Sequence, residues 1–244
     1  MKEFIYAYDS GKKRDYASEM IFQVKLEIQN GDENVKRPDR ILFYLNLIHI
    51  DKHQGINYVT QADRIANRLR TIQLVNNNDF LIDGNGVGDA VVDIFRSKNI
   101  TPIPINTHGG KNVQAVYEEF GKLFPGSDDG QLKALKVIKE YRVPKLDLVD
   151  AGRIILEQNR LRVAKDIPFA KDFKEQLSDF KPQEGKRKGY LKFKAEHEEV
   201  HDDLVLCFLM AAWWALNRKD RINQRDRSIP KHTTKRDYNP LDYC

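Results

Sequence analysis

The sequence predicts an α/β fold in which helices flank a mixed sheet of antiparallel and parallel strands. Three observations predict it. The first fifty residues contain three runs of β-type pattern that are separated by polar segments. A helical pattern follows at 60–75, and an apolar strand at 80–83 comes soon after it. Of the 244 residues, 41% are hydrophobic, which is enough for one α/β domain with a sizeable core.

The first three strands are predicted to form an antiparallel meander. Residues 4–9 and 17–28 alternate between two faces, and the link between them, "DSGKKRDY", is a polar turn. The helix that follows the third strand is a crossover, which lets the fourth strand lie parallel to the first and beside it. The carboxyl ends of the first and fourth strands are Asp9 and Asp83, so we expect these two residues to be neighbours.

The second half of the chain is predicted to be mainly helical. A short strand near 101–106 precedes this part, and a basic β-hairpin with a turn at 185–189 interrupts it. The last predicted helix is apolar on nearly all sides, so we expect it to be buried. The predicted helices span 88–97, 111–124, 130–141, 145–158, 169–180 and 201–217.

A glycine-rich stretch, "DGNGVGD", begins at Asp83 and raises the possibility of a nucleotide site. A dinucleotide fingerprint would follow the first strand of a βαβ unit, and an acidic residue about 20 residues on would bind the ribose. This stretch follows the fourth strand and lacks such an acidic residue. We therefore interpret the glycines as residues of a tight turn and Asp83 as the functional residue.

Three polar residues, His201, Asp202 and Asp203, begin the buried helix. An acidic residue at a helix start is often only a cap that complements the helix dipole. A cap needs one acidic residue, whereas this helix has two and a histidine. Asp203 shares a helix face with Cys207 and Met210, so we expect its side chain to point inward, towards the sheet.

Asp9, Asp83 and Asp203 are therefore predicted to converge. Two aspartates about 5 Å apart repel by about 3 kcal/mol at an effective dielectric constant of about 20. A bound cation relieves that repulsion, and an all-oxygen ligand set suits Mg²⁺ or Mn²⁺ better than zinc. The alternative is that each aspartate is simply a turn or cap residue.

Positive charge is concentrated in two segments. Residues 181–194 contain six basic residues and one acidic residue, and residues 218–244 contain eight basic and four acidic residues. We expect residues 1–217 to form one domain and 218–244 a basic C-terminal tail. A basic rim beside an acidic site suits a polyanion, although a solvated surface is the alternative. The residues expected to contact DNA phosphates are Lys186, Arg187, Lys188, Lys192 and Lys194.

The two cysteines provide neither a disulfide framework nor a metal-binding spacing, which favours a reducing cytosol. The longest apolar run, 204–216, is shorter than the roughly 20 residues that a membrane-spanning helix needs. We therefore expect no association with a membrane.

The order of elements is that of ribonuclease H-like proteins, and four segments carry a more specific resemblance. The chain resembles the C-terminal nuclease domain of the large terminase subunit of tailed bacteriophages, in family order and over nearly its whole length. That family implies a ribonuclease H-like, metal-dependent endonuclease that cuts concatemeric viral DNA during genome packaging. The matching segments are Asp9 with the following "GKKRDYAS", "LIDGNGVGDAVVDIF", "VPKLDLVDAGRIIL" and "HDDLVLCFLMAAWWA".

The resemblance also implies roles for individual residues. Asp9, Asp83 and Asp203 would bind two Mg²⁺ or Mn²⁺ ions for phosphodiester hydrolysis, and Asp202 and His201 would lie in the catalytic motif beside them. The implied partners are double-stranded DNA, an ATPase motor domain, the portal and the small terminase subunit. The implied location is the cytoplasm of the infected bacterial host, at the procapsid.

Two features depart from the resemblance. The chain contains no G-x-x-x-x-G-K-[ST] motif, so we expect an excised nuclease domain or a single-domain relative. The first crossover helix offers Asp63 but no glutamate, which argues against the four-acid group of true ribonucleases H. Other ribonuclease H-like nucleases, such as junction resolvases or transposases, and a non-catalytic DNA-binding or docking module remain alternatives.

Overall fold

The computed structural model describes residues 2–11, 16–29, 40–85, 88–121, 134–184, 191–195 and 201–217. Ten strands and five helices lie in these ranges. Within the described residues, no helix combines the length and the apolar composition that crossing a bilayer requires.

Eight strands form one mixed sheet in the spatial order β6-β7-β5-β4-β1-β2-β3-β8. Strands β1, β2 and β3 form an antiparallel meander, and β4 lies parallel to β1 on its other side. The prediction of a mixed sheet with this meander is therefore confirmed. The strands are β1 (Phe4–Asp9), β2 (Ala17–Gln29), β3 (Arg40–His53), β4 (Asn78–Asp83), β5 (Ile103–His108), β6 (Gln114–Gly121), β7 (Ala134–Pro144) and β8 (Leu161–Val163).

Helices cover both faces of this sheet. One apolar cluster joins the sheet to residues of α3, α4 and α5, and we call this side of the sheet the front face. A second cluster joins the opposite side, the back face, to residues of α1 and α2. The central strands are therefore buried on both faces. The helices are α1 (Tyr58–Leu69), α2 (Gly88–Ser97), α3 (Lys145–Glu157), α4 (Ala170–Asp179) and α5 (Asp203–Asn217).

Helix α5 occupies the middle of the front face, as its apolar sequence predicts. Ten of its 15 residues are buried. It packs closely against α3, because Gly152 leaves room for the Leu209 side chain: a Cβ atom at position 152 would lie 2.3 Å from Leu209 Cδ2. This packing fixes the position of the start of α5 over the sheet.

Two predicted helices are wrong. The segments predicted as helices at 111–124 and 130–141 contain the antiparallel strands β6 and β7, while residues 122–133 lie outside the described residues. Apolar residues recur there at both helical and alternating spacings, so periodicity alone does not separate the two structures. The β-branched and aromatic residues Val116, Tyr117, Val137 and Ile138 fit a sheet edge, and pairing of β7 with β5 decides the outcome.

A second, two-stranded sheet consists of β9 (Phe180–Glu184) and β10 (Leu191–Ala195), which pair antiparallel. The residues that join them, including Lys186, Arg187 and Lys188, lie outside the described residues. The role of this hairpin in DNA binding therefore stays a prediction. The predicted basic tail, 218–244, also lies outside the described residues.

Candidate functional site

Asp9 and Asp83 end two adjacent parallel strands. Strands β1 and β4 pair up to Tyr8 and Ile82, so the two aspartates follow at the same edge of the sheet. Side chains alternate along a strand, and Ala7 belongs to the front-face cluster, as does Leu81. Asp9 and Asp83 lie two residues further along their strands and therefore also face the front.

Asp203 begins helix α5 on the same face. One turn later, the buried thiol of Cys207 donates a hydrogen bond to the Ser18 carbonyl oxygen at 3.5 Å. Burial raises the pKa of this thiol, and the negative charges of Asp9, Asp203 and Asp83 raise it further. All three aspartates therefore lie close enough to act on one sulfur atom.

Another helix supplies a cap for α5. The Gln176 side chain of α4 accepts a hydrogen bond from the Leu204 N–H at 3.0 Å, and Gln176 is itself buried. This bond satisfies one of the N–H groups that every helix start leaves without an intrahelical partner. A glutamine from another helix therefore takes part in capping this helix start.

The surroundings of Asp83 raise the pKa of its carboxyl above the usual range. Burial raises the pKa of Asp83, and the negative charge of Asp202 adds to that effect. The Asn85 N–H, which donates to Asp83 Oδ1 at 3.1 Å, and the positive charge of Lys145 lower the pKa. A cation that binds beside Asp83 therefore competes with a proton, and its affinity should rise with pH.

Lys145 and His201 border this group of aspartates. Lys145 is the first residue of α3, and its Nζ lies 5.8 Å from the centre of the Phe180 ring. His201 is exposed, and its ring meets the Tyr16 ring edge-on with the centroids 5.4 Å apart. The structure therefore places a cation and a solvent-accessible imidazole near the predicted aspartates.

The three aspartates do not form a compact single-ion site. Among the described residues, the histidine, cysteine and acidic residues with three ligand atoms within 4.8 Å of one another are Glu19, Asp51 and His53. Two ions about 4 Å apart can be held by carboxylates that are more widely spaced than the ligands of one ion. The all-carboxylate set of Asp9, Asp83 and Asp203 is of the type that hard cations such as Mg²⁺ or Mn²⁺ prefer.

Glu19, Asp51 and His53, which we call the back-face cluster, could hold a metal ion. Glu19 and Asp51 stand opposite each other in the β2–β3 ladder, and Arg68 of α1 forms ion pairs with both carboxylates. Tyr6 donates a hydrogen bond to Glu19. Burial raises the pKa of Glu19 to about 7, against the lowering effect of Arg68.

Sequence reasoning missed the back-face cluster, although one signal was available. Glu19 alternates with Ala17 and Ile21, and those two residues are buried on the back face. An acidic residue between apolar neighbours on one face predicts a buried carboxylate with a partner. The partner, Arg68, lies in α1, 49 residues further along the chain, and only the fold brings the two together.

Two clefts lie near the end of the sheet that carries the aspartates. The larger, of about 620 Å³, is lined by residues of β5 to β7 and the β5–β6 connection, and the smaller, of about 200 Å³, includes Gly84. Between them, Asn106 Nδ2 donates to Glu140 Oε2 at 2.7 Å. Asp9, Asp83 and Asp203 line neither cleft; Asp83 is buried, and Asp9 and Asp203 are half-buried.

The predicted DNA-binding lysines of β10 are only partly described. The backbone of Lys192 and Lys194 belongs to the paired strand β10, but their side chains lie outside the described part of the structure. Contacts between these residues and DNA stay a prediction.

No protein-family model matches this chain, and a search of curated proteins finds no match.

Proposed function

We propose that this chain is a metal-dependent endonuclease that hydrolyses phosphodiester bonds in double-stranded DNA. The observation that carries the proposal is the placement of Asp9, Asp83 and Asp203 on one face, at the ends of β1 and β4 and the start of α5. The meander β1–β2–β3 with β4 parallel to β1 supports a ribonuclease H-like fold. The sequence resemblance described above refines the proposal to the nuclease domain of a bacteriophage large terminase subunit.

The aspartates would hold the divalent ions, Mg²⁺ or Mn²⁺. Bound there, the ions would polarise the scissile phosphate and lower the pKa of a water molecule. Asp9 at the end of β1, Asp83 at the end of β4 and Asp203 at the start of α5 are the residues that would hold these ions. Asp202 adds negative charge beside Asp83, as its effect on the pKa of Asp83 indicates.

Lys145 and His201 would act on the substrate from the rim of the site. The positive charge of Lys145, which already acts on Asp83, would attract a DNA phosphate to the aspartates. The exposed imidazole of His201, next to Asp202 in the chain, would contact a DNA backbone bound at the aspartates. Backbone contacts of this kind require no base readout, so we expect cleavage with little sequence preference.

The proposed biological setting follows the resemblance. The substrate would be concatemeric viral DNA, and the site of action would be the procapsid in the cytoplasm of the infected bacterial host. An ATPase motor, the portal and the small terminase subunit would be the partners, because packaging needs a motor in addition to a nuclease.

Plasmid cleavage tests the proposal. Supercoiled plasmid incubated with the protein and Mn²⁺ or Mg²⁺ should be nicked and then linearised, and EDTA should stop the reaction. Asp9→Asn, Asp83→Asn and Asp203→Asn should each lower the rate by at least about 100-fold, because each removes a metal ligand. The matched control is Asp93→Asn, an exposed aspartate of α2 on the back-face side, which should cleave like the wild type.

The outcomes separate this function from its rivals. A correctly folded Asp9, Asp83 or Asp203 variant that nicks DNA at the wild-type rate would remove that residue from the site. DNA binding without cleavage under any metal condition would favour a docking module. Cleavage of four-way junctions but not of linear duplexes would favour a junction resolvase.

A further inference from the structure

The back-face cluster brings two carboxylates and an imidazole together at one end of the β2–β3 ladder. Glu19 pairs directly with Asp51, and His53, two residues further along β3, pairs with Ala17. One ligand atom from each of Glu19, Asp51 and His53 lies within 4.8 Å of the other two. The cluster is on the opposite side of the sheet from the front-face aspartates, so it forms a separate site.

His53 is the observation that points to a ligand. Its side chain is buried, with 8% of the residue exposed, and neither Nδ1 nor Nε2 has a hydrogen-bond partner among the described residues. Burying a polar ring without a partner is unfavourable, so such a ring in a folded protein needs an explanation. Because a ring nitrogen of His53 faces the two carboxylates, a cation between them would provide the missing partner.

We propose that Glu19, Asp51 and His53 bind a Zn²⁺ ion. One imidazole and two carboxylates form the mixed nitrogen and oxygen set that Zn²⁺ accepts, and a water molecule would complete a tetrahedral site. Ligand atoms of such an ion lie about 3.4 Å apart. The present separations, at most 4.8 Å, would therefore shorten by at most about 1.4 Å, which is a movement of about 0.7 Å for each of two ligand atoms.

Arg68 leaves room for this ion. Glu19 contacts Tyr6 and Arg68, and Asp51 Oδ1 and Oδ2 accept from the Lys52 N–H and from Arg68. A carboxylate offers about four lone-pair positions, so each carboxylate keeps positions for a metal. When both carboxylates are ionised, they carry two negative charges against the one guanidinium charge of Arg68, which leaves the cluster favourable for a cation. Tyr6 and Arg68 would then orient the ligands from outside, as hydrogen-bonding partners of metal ligands commonly do.

The ion would tie β2 to β3 near the edge of the sheet that holds the front-face aspartates. A ligand that binds only the folded chain stabilises it by mass action, so Zn²⁺ should raise the melting temperature. This inference does not depend on the proposed nuclease activity, because none of its three ligands belongs to the front face.

Zinc titration of the EDTA-treated and dialysed protein tests the inference. Isothermal titration calorimetry should give one tight site for Zn²⁺ in the wild type, and Zn²⁺ should raise its melting temperature. His53→Gln should fold without metal, because it removes no described hydrogen bond, and should weaken Zn²⁺ binding at least about 100-fold. Asp51→Asn should also weaken binding and serves as a second variant.

Two control variants locate the effect. His108→Gln changes a histidine at the end of β5, outside the back-face cluster, and should bind Zn²⁺ like the wild type. Asp83→Asn should do so as well, while losing DNA cleavage. Absence of a tight site in the wild type would overturn the inference, as would unchanged binding by His53→Gln. Loss of Zn²⁺ binding in Asp83→Asn, with binding retained in His53→Gln, would also overturn it, because the ion would then lie at the front face.

Discussion

The buried carboxylate of Glu19 makes stability depend on pH. Glu19 is fully buried, and burial raises its pKa from 4.5 to about 7 in the folded chain. A raised pKa means that the folded chain keeps a proton on Glu19 over a pH range in which the unfolded chain releases it. The contribution of Glu19 to stability is therefore fully present below pH 4.5 and is lost as the pH rises through about 7.

The size of the effect follows from the two pKa values. A change of one pKa unit corresponds to about 1.4 kcal/mol, so a rise from 4.5 to about 7 corresponds to about 3 kcal/mol in total. Most of this change should fall between about pH 5 and pH 8, because there the unfolded chain has largely released the Glu19 proton while the folded chain still holds part or all of it. Replacing Glu19 with glutamine keeps the shape of the side chain and removes the titration.

Urea denaturation in EDTA at several pH values measures this effect. The free energy of unfolding of the wild type, minus that of Glu19→Gln, should fall by about 2–3 kcal/mol between about pH 5 and pH 8. Glu27→Gln is the control. Arg162 lowers the pKa of the exposed Glu27 carboxylate, so the small contribution of Glu27 to the free energy of unfolding should be lost as the pH falls and not as it rises. Parallel curves for the wild type and Glu19→Gln would refute the assignment of a raised pKa to Glu19.

Three further predictions concern other parts of the chain. Asp83→Asn should raise the melting temperature in EDTA at neutral pH and reduce the stabilisation by Mn²⁺. The difference in EDTA should shrink as the pH falls, because burial raises the pKa of Asp83. A metal-free variant markedly less stable than the wild type would make Asp83 a structural cap. Alanine at basic residues 186–188 should weaken DNA binding and flatten its salt dependence by about 0.9 per lost phosphate contact on a log–log plot; an unchanged slope would exclude the hairpin from the interface. Gly152→Ala should lower the free energy of unfolding, measured by urea denaturation, by about 1 kcal/mol, because overpacking against Leu209 outweighs the gain in helix propensity. Equal or higher stability of the variant would contradict this packing.

The arrangement of β1 and β4 could be predicted because local and topological rules agree there. Both strands end in an aspartate after an apolar run, and a crossover connection places parallel strands beside each other with little freedom. The start of α5 was predicted for a similar reason, since a helix that is apolar on nearly all sides has to lie against the core. These elements depend on short stretches of sequence whose patterns have one interpretation.

The strands β6 and β7 could not be predicted from their own residues. Their apolar positions fit both a helix and a strand, and the deciding contact is the pairing of β7 with β5, about 36 residues away along the chain. Pairing of β7 extends the sheet beyond β5 and gives β6 an edge on which to form. The sequence pattern of β7 therefore fits a helix or a strand, and its pairing with β5 decides for the strand.

The two candidate metal sites meet at consecutive residues of β2 and yet differ in chemistry. Ser18 pairs with Asp9, and its carbonyl oxygen accepts from Cys207 among the front-face aspartates, whereas Glu19, the next residue, belongs to the back-face cluster. Because successive side chains of a strand point to opposite faces, the sheet itself separates the two sites. The predicted ligands on the front face are all carboxylates, which suit Mg²⁺ or Mn²⁺, whereas the back-face cluster includes the imidazole of His53, which suits Zn²⁺. Titrating the protein with Mn²⁺ alone should therefore report binding at the front face, and titrating it with Zn²⁺ alone should report binding at the back-face cluster.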